Sequence, residues 1–117
     1  DNRINDSNVM YALHFYAGSH KEWLRERVIK ARSENIPIFV SEWGTTNADG
    51  NGGVAIDEAT TWVKFMNENK LSYINWSLSD KDEASAILKP GTKKNGFTDD
   101  DLTESGKFIK KVLRDEI

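Results

Sequence analysis

PIFVSEWGT, residues 37–45, places an acidic residue directly after a short apolar run. The run Ile38 to Val40 is short, apolar and preceded by proline, as in a buried strand, and it predicts a strand over residues 38–41. Glu42 follows at once, with Trp43 behind it, so a carboxylate lies at the edge of a hydrophobic core. A lone glutamate there is most often a solvated group or an ion-pair partner. The alternative is that the strand holds Glu42 in place for a function.

The sequence on either side predicts an alternation of strands and helices. Strands are expected over residues 8–16, 38–41 and 71–76. Helices are expected from a Ser19 N-cap to about residue 33, over about 56–69, and from an N-cap at Thr103 or its neighbour to about residue 114. Residues 45–53 form a loop rich in glycine and asparagine, and 77–101 are irregular. Alternation of this kind predicts an α/β fold with parallel strands joined by right-handed crossovers.

Three parallel strands alone leave two unpaired edges, which are templates for aggregation. The chain has 117 residues, enough for one small domain. A doubly wound domain of that size would usually contain about five strands. Since the sequence begins just before a strand, we expect it to be part of a larger domain rather than a small open sandwich.

Composition excludes several classes of function. The net charge of −3, without a basic cluster, argues against binding to nucleic acid or to anionic membranes. The chain contains no cysteine, which rules out thiolate sites, and its two histidines are too few for an all-histidine metal site. No metal or cofactor is therefore expected. An abundance of tryptophan beside carboxylates is typical of carbohydrate recognition, because sugar rings pack on aromatic faces.

Four tryptophans divide into two groups by position. Trp23 and Trp62 fall within predicted helices, and we expect them to pack in the core. Trp43 and Trp76 lie at the ends of predicted strands, where a ligand contact is a real alternative. Trp43 is expected to point away from Glu42, since strand side chains alternate, and to pack behind it.

Polar residues of a functional type collect where the predicted strands end. His14 and Tyr16 end the first strand, Glu42 ends the second, and Asn75 with Trp76 ends the third. The carboxyl ends of parallel strands share one edge, and in (β/α)8 barrels that edge carries the active site. Each residue alone has an ordinary structural explanation, but together they predict a site on this rim.

Three motifs at this rim resemble a known family. YALHFYAG (11–18) followed by His20, IPIFVSEWGT (36–45) and INWSLSDKDEASAIL (74–88) resemble the C-terminal part of a glycoside hydrolase family 5 domain. The bacterial endo-β-1,4-glucanases are the most similar branch, and the resemblance covers about residues 8–108. It implies that residues 1–117 form the C-terminal part of a single (β/α)8 barrel, namely its sixth, seventh and eighth strand–helix units.

The resemblance assigns roles to individual residues. It implies that Glu42 is the nucleophile and that His14 and Tyr16 line the catalytic centre, the tyrosine hydroxyl helping to hold the nucleophile. It also implies that Trp76 forms an aromatic platform for sugar. On the non-reducing side, the implied contacts are hydrogen bonds from Lys81 and Glu83 and a close approach of the Ala48 backbone. The implied substrate is a β-glucan polysaccharide, and the implied location is extracellular.

A retaining glycosidase needs a second carboxyl group about 5–5.5 Å from the nucleophile. The family places this acid/base in an Asn-Glu-Pro motif on an earlier strand. The only prolines here are Pro37 and Pro90, and neither follows Asn-Glu. Asp80, Asp82 and Glu83 are poor substitutes because they lie on a long loop. We therefore expect the isolated chain to be inactive and its partner to be the N-terminal part of the barrel or another copy of the chain.

Other interpretations stay open at this point. The chain could be an inactive half-barrel that only oligomerises or complements, or part of a β-mannanase or xyloglucanase of the same family. A carbohydrate-binding module using Trp43 and Trp76 is disfavoured because such modules are mostly antiparallel sandwiches. A flavodoxin-like signalling domain is disfavoured because the first strand lacks an acidic cluster and a glycine-rich phosphate turn.

Overall fold

A computed structural model describes residues 3–93 and 95–117 of the chain. It contains three strands, β1 (Tyr11–Tyr16), β2 (Ile38–Gly44) and β3 (Ser72–Asn75). The helices are α1 (Glu22–Ser33), α2 (Ile56–Glu68) and α3 (Glu104–Leu113), with a 3₁₀ turn at Asp99–Asp101 before α3. The strands form one parallel sheet in the order β1-β2-β3. The predicted α/β fold with parallel strands is confirmed.

Some predicted boundaries are wrong. β1 begins at Tyr11 rather than at residue 8, and β2 extends to Gly44 instead of ending at residue 41. Ser19 does not cap α1, which begins after Lys21 without a side-chain cap. The Ser19 hydroxyl instead accepts a hydrogen bond from the backbone N of Ala48 at 2.9 Å. Thr103 caps α3 as predicted, its hydroxyl accepting from the backbone N of Gly106.

β2 contains one residue more than its neighbours between two points of the register. Ala12 pairs with Phe39, but His14 pairs with Glu42, so β2 advances three residues while β1 advances two. The same shift occurs against β3, between Val40 and Trp43. This is a β-bulge in the central strand, a feature that often re-aims a side chain next to an active site.

The bulge explains how Glu42 and Trp43 reach their places. With unbroken alternation, residue 42 would face the same side as Val40, which is buried under the helices. The extra residue breaks the alternation, so Val40 and Trp43 are both fully buried while Glu42 stays partly exposed. The prediction that Trp43 packs behind Glu42 is confirmed.

Aromatic rings form the core between the sheet and α2. Phe15 stacks on Trp62 with ring centroids 3.9 Å apart and on Trp43 at 5.6 Å. Tyr73 meets Trp43 edge-on, and the guanidinium of Arg25 lies over Trp62. These contacts fix the backbone of β1 and β2 directly beneath the rim.

Two large apolar side chains are exposed on α1. Trp23 and Ile29 are 46% and 54% exposed, which corrects the expectation that Trp23 packs in the core. Residues in a helix advance by about 100°, so Leu24, Val28 and Ala31 share a sector of about 60° that Trp23 and Ile29 lie outside. Only that narrow sector faces the sheet.

The side of the sheet next to β3 carries an apolar groove of about 700 Å³. Exposed side chains from the third strand, the following loop and α3 line it, including Ile74, Leu78, Phe97 and Leu113. Leu113, in the last turn of α3, is 76% exposed and lines this groove. Among the described residues, no helix is long and apolar enough to cross a membrane.

Candidate active site

Glu42 lies at the rim of the sheet with its two oxygens directed to different partners. The hydroxyl of Tyr16 donates to Oε1 at 2.6 Å, and Nδ1 of His14 lies 3.5 Å from Oε2. All three side chains come from adjacent strands, since His14 pairs with Glu42 and Tyr16 pairs with Gly44 in the register. The structure brings together the three residues predicted to be catalytic.

Tyr16 is held as a neutral donor to this carboxylate. Burial is the largest cause that raises the pKa of its phenol well above the ordinary value of 10.0, followed by the hydrogen bond to Glu42 and the charge of that carboxylate. The charge of Glu83 adds a smaller effect in the same direction. The phenol therefore keeps its proton and donates a hydrogen bond to Oε1 of Glu42.

Gly44 makes room for the Tyr16 ring. A Cβ at Gly44 would lie 2.4 Å from Cε1 of Tyr16 and 2.5 Å from Cδ1. The ring therefore packs directly on the backbone of β2, where only glycine leaves sufficient space. The small residue after Trp43 thus sets the position of the hydroxyl that contacts Glu42.

His14 is oriented by a second contact from the bulge. Its Nε2 lies 2.9 Å from Oγ of Ser41, while Nδ1 faces Glu42. The bulge directs two consecutive residues, Ser41 and Glu42, toward the same imidazole. The ring is exposed on the open face of the sheet, so it is accessible to a ligand.

Trp76 follows β3 and is 48% exposed. Its backbone N donates to the carbonyl O of Trp43 at 2.8 Å, and the Asn75 side-chain amide donates to the same oxygen at 3.0 Å. The peptide bond between Trp76 and Ser77 is cis. The backbone is fixed to β2 while the indole stays available for stacking.

Lys81 and Glu83 form an ion pair in the loop after β3. Ser85 Oγ donates to Oε1 of Glu83 at 2.5 Å. The bonds from Lys81 and then from Ser85 lower the pKa of the Glu83 carboxyl below its ordinary value of 4.5. Glu83 is thus held ionised, with Lys81 largely exposed beside it.

The loop after β2 contacts both neighbouring parts of the rim. Gly50 lies so close to the Glu83 carboxylate that a Cβ there would be 2.0 Å from its Oε1. The backbone N of Ser85 donates to the carbonyl O of Gly50 at 3.0 Å, and Ala48 is held to Ser19 at the end of β1. Ala48 is exposed there, at a point where a ligand can approach its backbone.

Sequence reasoning missed the supporting serines and glycines of this site. Ser41 and Ser85 orient His14 and Glu83, and Gly44 and Gly50 allow Tyr16 and Glu83 to approach the backbone. A serine gives no local signal of its partner. The glycine after Glu42 was visible in the motif, but its role depends on a contact with a residue 28 positions earlier.

The arrangement suits nucleophilic attack by a positioned carboxylate. One acid is held by a phenol donor on a rigid strand, and an exposed indole and an ion pair lie on the flanking loops. Such a combination can orient a sugar ring by stacking and hydrogen bonds while the carboxylate faces it.

Comparison with known proteins identifies relatives of one kind. A family model described as cellulase (glycosyl hydrolase family 5) matches residues 1–82. Endoglucanase 5 of Pectobacterium carotovorum subsp. carotovorum is 52% identical over 115 residues, which is 97% of this chain and 23% of that protein. Endoglucanase A of Evansella cellulosilytica is 52% identical over 116 residues, 98% of this chain and 24% of that protein. The chain spans about a quarter of the length of these curated relatives.

Solved structures agree with this result. A cellulase named Cel5C_n superposes with a TM-score of 0.89 at 45% identity, covering 96% of this chain and 34% of that one. The catalytic domain of Thermobifida fusca endoglucanase Cel5A gives a TM-score of 0.90 at 34% identity, covering 97% and 37%. A variant of that domain has been solved in complex with cellotetraose. The three strand–helix units described above thus correspond to part of a (β/α)8 barrel.

Proposed function

This chain belongs to glycosyl hydrolase family 5, and we propose that it forms the nucleophile-bearing part of an endo-β-1,4-glucanase. The enzyme would cleave internal β-1,4-glucosidic bonds of cellulose or a related β-glucan with retention of configuration. The single observation that carries the proposal is the contact of Tyr16 Oη with Glu42 Oε1 at 2.6 Å, on a rim that also presents Trp76. The relatives named endoglucanase and the cellotetraose complex of one relative support this substrate class.

Glu42 is the proposed nucleophile. Tyr16 holds one carboxylate oxygen by a hydrogen bond, and the other oxygen, beside His14, can attack the anomeric carbon. The bulge fixes the position of Glu42, and the packed side chains of Val40 and Trp43 hold the strand beneath it. Attack forms a glycosyl–enzyme bond at Glu42 as the glycosidic C–O bond breaks and the leaving oxygen takes a proton from a second acid. Water, deprotonated by that second residue, then hydrolyses the glycosyl–enzyme bond and frees Glu42.

We propose that this second acid belongs to the part of the barrel outside the present sequence. Glu83, on the nearby loop, is unsuited to the role. Its ion pair with Lys81 and its bond from Ser85 lower its pKa, whereas a general acid must hold its proton near neutral pH. Ionised Glu83 and Lys81 suit hydrogen bonding to sugar hydroxyls instead.

The proposed sugar-binding residues form the flanks of the site. Trp76 offers an exposed indole face, and Lys81, Glu83 and the backbone of Ala48 provide polar contacts on the non-reducing side. The same residue types would also serve a β-mannanase or xyloglucanase of the family. Parallel hydrolysis assays on carboxymethylcellulose, mannan and xyloglucan separate these substrates.

The apolar groove beside β3 supports the proposed partner. Ile74, Leu78 and Leu113 expose apolar surface there, and a soluble protein rarely leaves a large patch of this kind uncovered. We propose that the remaining part of the barrel covers it, and that in the isolated chain a second copy can do so. A secreted location is proposed from the family resemblance alone.

The decisive experiment is Glu42→Gln in the full-length protein that carries this segment. We expect kcat on carboxymethylcellulose to fall by about 10³-fold or more, because the attacking group is lost. The matched control is Glu26→Gln on the exposed side of α1, which should leave kcat unchanged. Substantial activity in Glu42→Gln would remove Glu42 from its proposed role.

The isolated chain tests the position of the acid. We expect its hydrolysis of the same substrate to be lower than that of the full-length protein by about 10²–10⁴-fold or more, the contribution of general acid–base catalysis. Rapid hydrolysis by the isolated chain would mean that an acid within these residues, and not outside them, completes the pair.

A further inference from the structure

The first turn of α3 lies against the chain just beyond Glu83. The backbone N of Thr103 donates to the carbonyl O of Ile87 at 3.0 Å, and Thr103 Oγ1 donates to that of Ala86 at 2.5 Å. Gly106 packs so closely that a Cβ there would lie 2.1 Å from the carbonyl O of Ile87. The start of α3 therefore fixes the path of the loop that carries the Lys81–Glu83 pair.

Buried hydroxyls continue this contact into the site. Thr45 Oγ1 and Ser105 Oγ are 2.8 Å apart, and Ser105 Oγ donates to the carbonyl O of Ser85 at 3.4 Å. Ser85 Oγ then donates to Oε1 of Glu83 at 2.5 Å. Thr45, Ser85 and Ser105 are each at most 1% exposed, so water has little access to replace these bonds.

The direction of the bonds follows from the number of protons. A serine hydroxyl donates once, and Ser105 uses its proton on the carbonyl O of Ser85. Thr45 must then be the donor in its bond with Ser105. The row of bonds runs from Thr45 through Ser105 and Ser85 to Glu83, and each buried hydroxyl is satisfied.

The two ends of this row lie on two different loops beside the proposed site. Thr45 directly follows β2 and is three residues beyond Glu42, whereas Glu83 lies on the loop after β3. α3 contributes Ser105 to this row of bonds, between Thr45 and Ser85. The row therefore couples the position of the nucleophile strand to that of the ion pair.

We propose that Ser105 and Ser85 are positioning residues for substrate binding, which hold Glu83 at a fixed place relative to Glu42. Neither serine touches substrate. The inference rests on the proposed function, because it assigns Glu83 to glucosyl binding. Loss of the Ser105 hydroxyl leaves the buried Thr45 hydroxyl and the Ser85 carbonyl without a partner, and the loop moves to satisfy them.

The test is a double-mutant cycle on the full-length protein with cellopentaose as substrate. We expect Ser105→Ala to raise KM by about 3- to 10-fold, the size of coupling typical of one buried network, with kcat within about twofold. In a Glu83→Gln background, the same substitution should change KM by less than about 1.5-fold. Ser85→Ala should behave in the same way. Thr61→Ala, which removes an exposed hydroxyl on α2, is the control and should change neither constant.

The outcomes separate the inference from the proposed function. Wild-type activity that disappears in Glu42→Gln supports the function independently. An unchanged KM in Ser105→Ala, or an equal rise in both backgrounds, would overturn the positioning role even when that activity is present. Should Ser105→Ala fail to fold, Thr45→Val keeps the volume and removes the donor to Ser105. Its effect on KM should likewise vanish in the Glu83→Gln background, and a persistent effect would count against the proposal.

Discussion

The two faces of the three-stranded sheet differ in burial and in the kind of side chain that they carry. The face toward the helices is filled by stacked aromatic rings, with Phe15, Trp43 and Trp62 fully buried. The other face exposes His14 and Ile74 and, at the rim, part of Glu42. The strand β2 contributes side chains to both faces, because its bulge turns Trp43 toward the packed face and Glu42 toward the open face. The packed face holds the strands rigid, and the open face presents the side chains proposed to act on substrate.

Two tryptophans of equal size test the difference between packed and exposed positions. In the segment, we expect Trp62→Ala to lower the free energy of unfolding by about 3–5 kcal/mol, since it removes a buried ring stacked on Phe15. Trp23→Ala, on the exposed side of α1, should cost less than about 1 kcal/mol, the order of its cation–π contact with Arg27. Urea denaturation measures both. Equal losses would mean that α1 packs more tightly than its exposure indicates.

Tyr16→Phe tests the hydrogen bond to Glu42 at the rim. A hydrogen bond to a charged group is worth about 1.5–3 kcal/mol, so kcat of the full-length protein should fall by about 10- to 100-fold. Tyr73→Phe is the matched control, because Tyr73 is also partly buried but bonds to Asn67 away from Glu42. It should leave kcat unchanged. A similar loss in both variants would show that packing, not the bond to Glu42, is responsible.

Tyr16→Phe also tests how stability depends on pH. The pKa of Tyr16 is raised above 10.0 in the folded chain, so the folded state holds the phenol proton more tightly than the unfolded state. Its contribution is fully present below pH 10.0 and is lost as pH rises above that value. In Tyr16→Phe, the free energy of unfolding should therefore decline less steeply above this pH. Denaturation curves at a series of alkaline pH values measure the slope, and an unchanged slope would contradict the assignment.

Gly44→Ala tests whether the packed backbone sets the position of Tyr16. We expect a loss of about 1–3 kcal/mol in stability, because the added Cβ would overlap the tyrosine ring. The control is Gly53→Ala, which strains a backbone with φ of 83° but meets no described atom within 4 Å. Both variants should lose stability, measured by denaturation, while only Gly44→Ala should also reduce kcat. A normal kcat in Gly44→Ala would show that the ring can move without releasing Glu42.

Much of this division between faces could be predicted from the sequence. The apolar runs and helical spacing located the three strands and three α-helices of the described residues, and the motif around Glu42 indicated the rim. The bulge could not be predicted, because it depends on pairing between β2 and both neighbours rather than on any local residue. Alternation counted from Val40 would even have placed Glu42 in the core.

The supporting contacts were equally hidden in the sequence. Ser85 and Ser105 are small polar residues in unremarkable contexts, and their bonds join segments 20 to 60 residues apart. Trp23 was misassigned because helical position alone does not say which sector of α1 meets the sheet. Local sequence and the family resemblance thus predicted which residues lie at the rim, whereas long-range packing determined what holds them.

The smallest effect in the segment is expected on the open face, and it tests what covers that face. Ile74 lies on β3, lines the apolar groove and is 55% exposed. Ile74→Ala should therefore change the free energy of unfolding of the isolated segment by less than about 0.5 kcal/mol. In the full-length protein, burial beneath the rest of the barrel should raise the cost to about 2–5 kcal/mol. Urea denaturation of both forms gives the two values. Met66→Ala, fully buried in the segment, should cost about the same in each. The cost of Ile74→Ala can differ between the two forms only if the rest of the barrel covers Ile74. An equally small cost in both forms would therefore mean that the open face stays uncovered in the full-length protein.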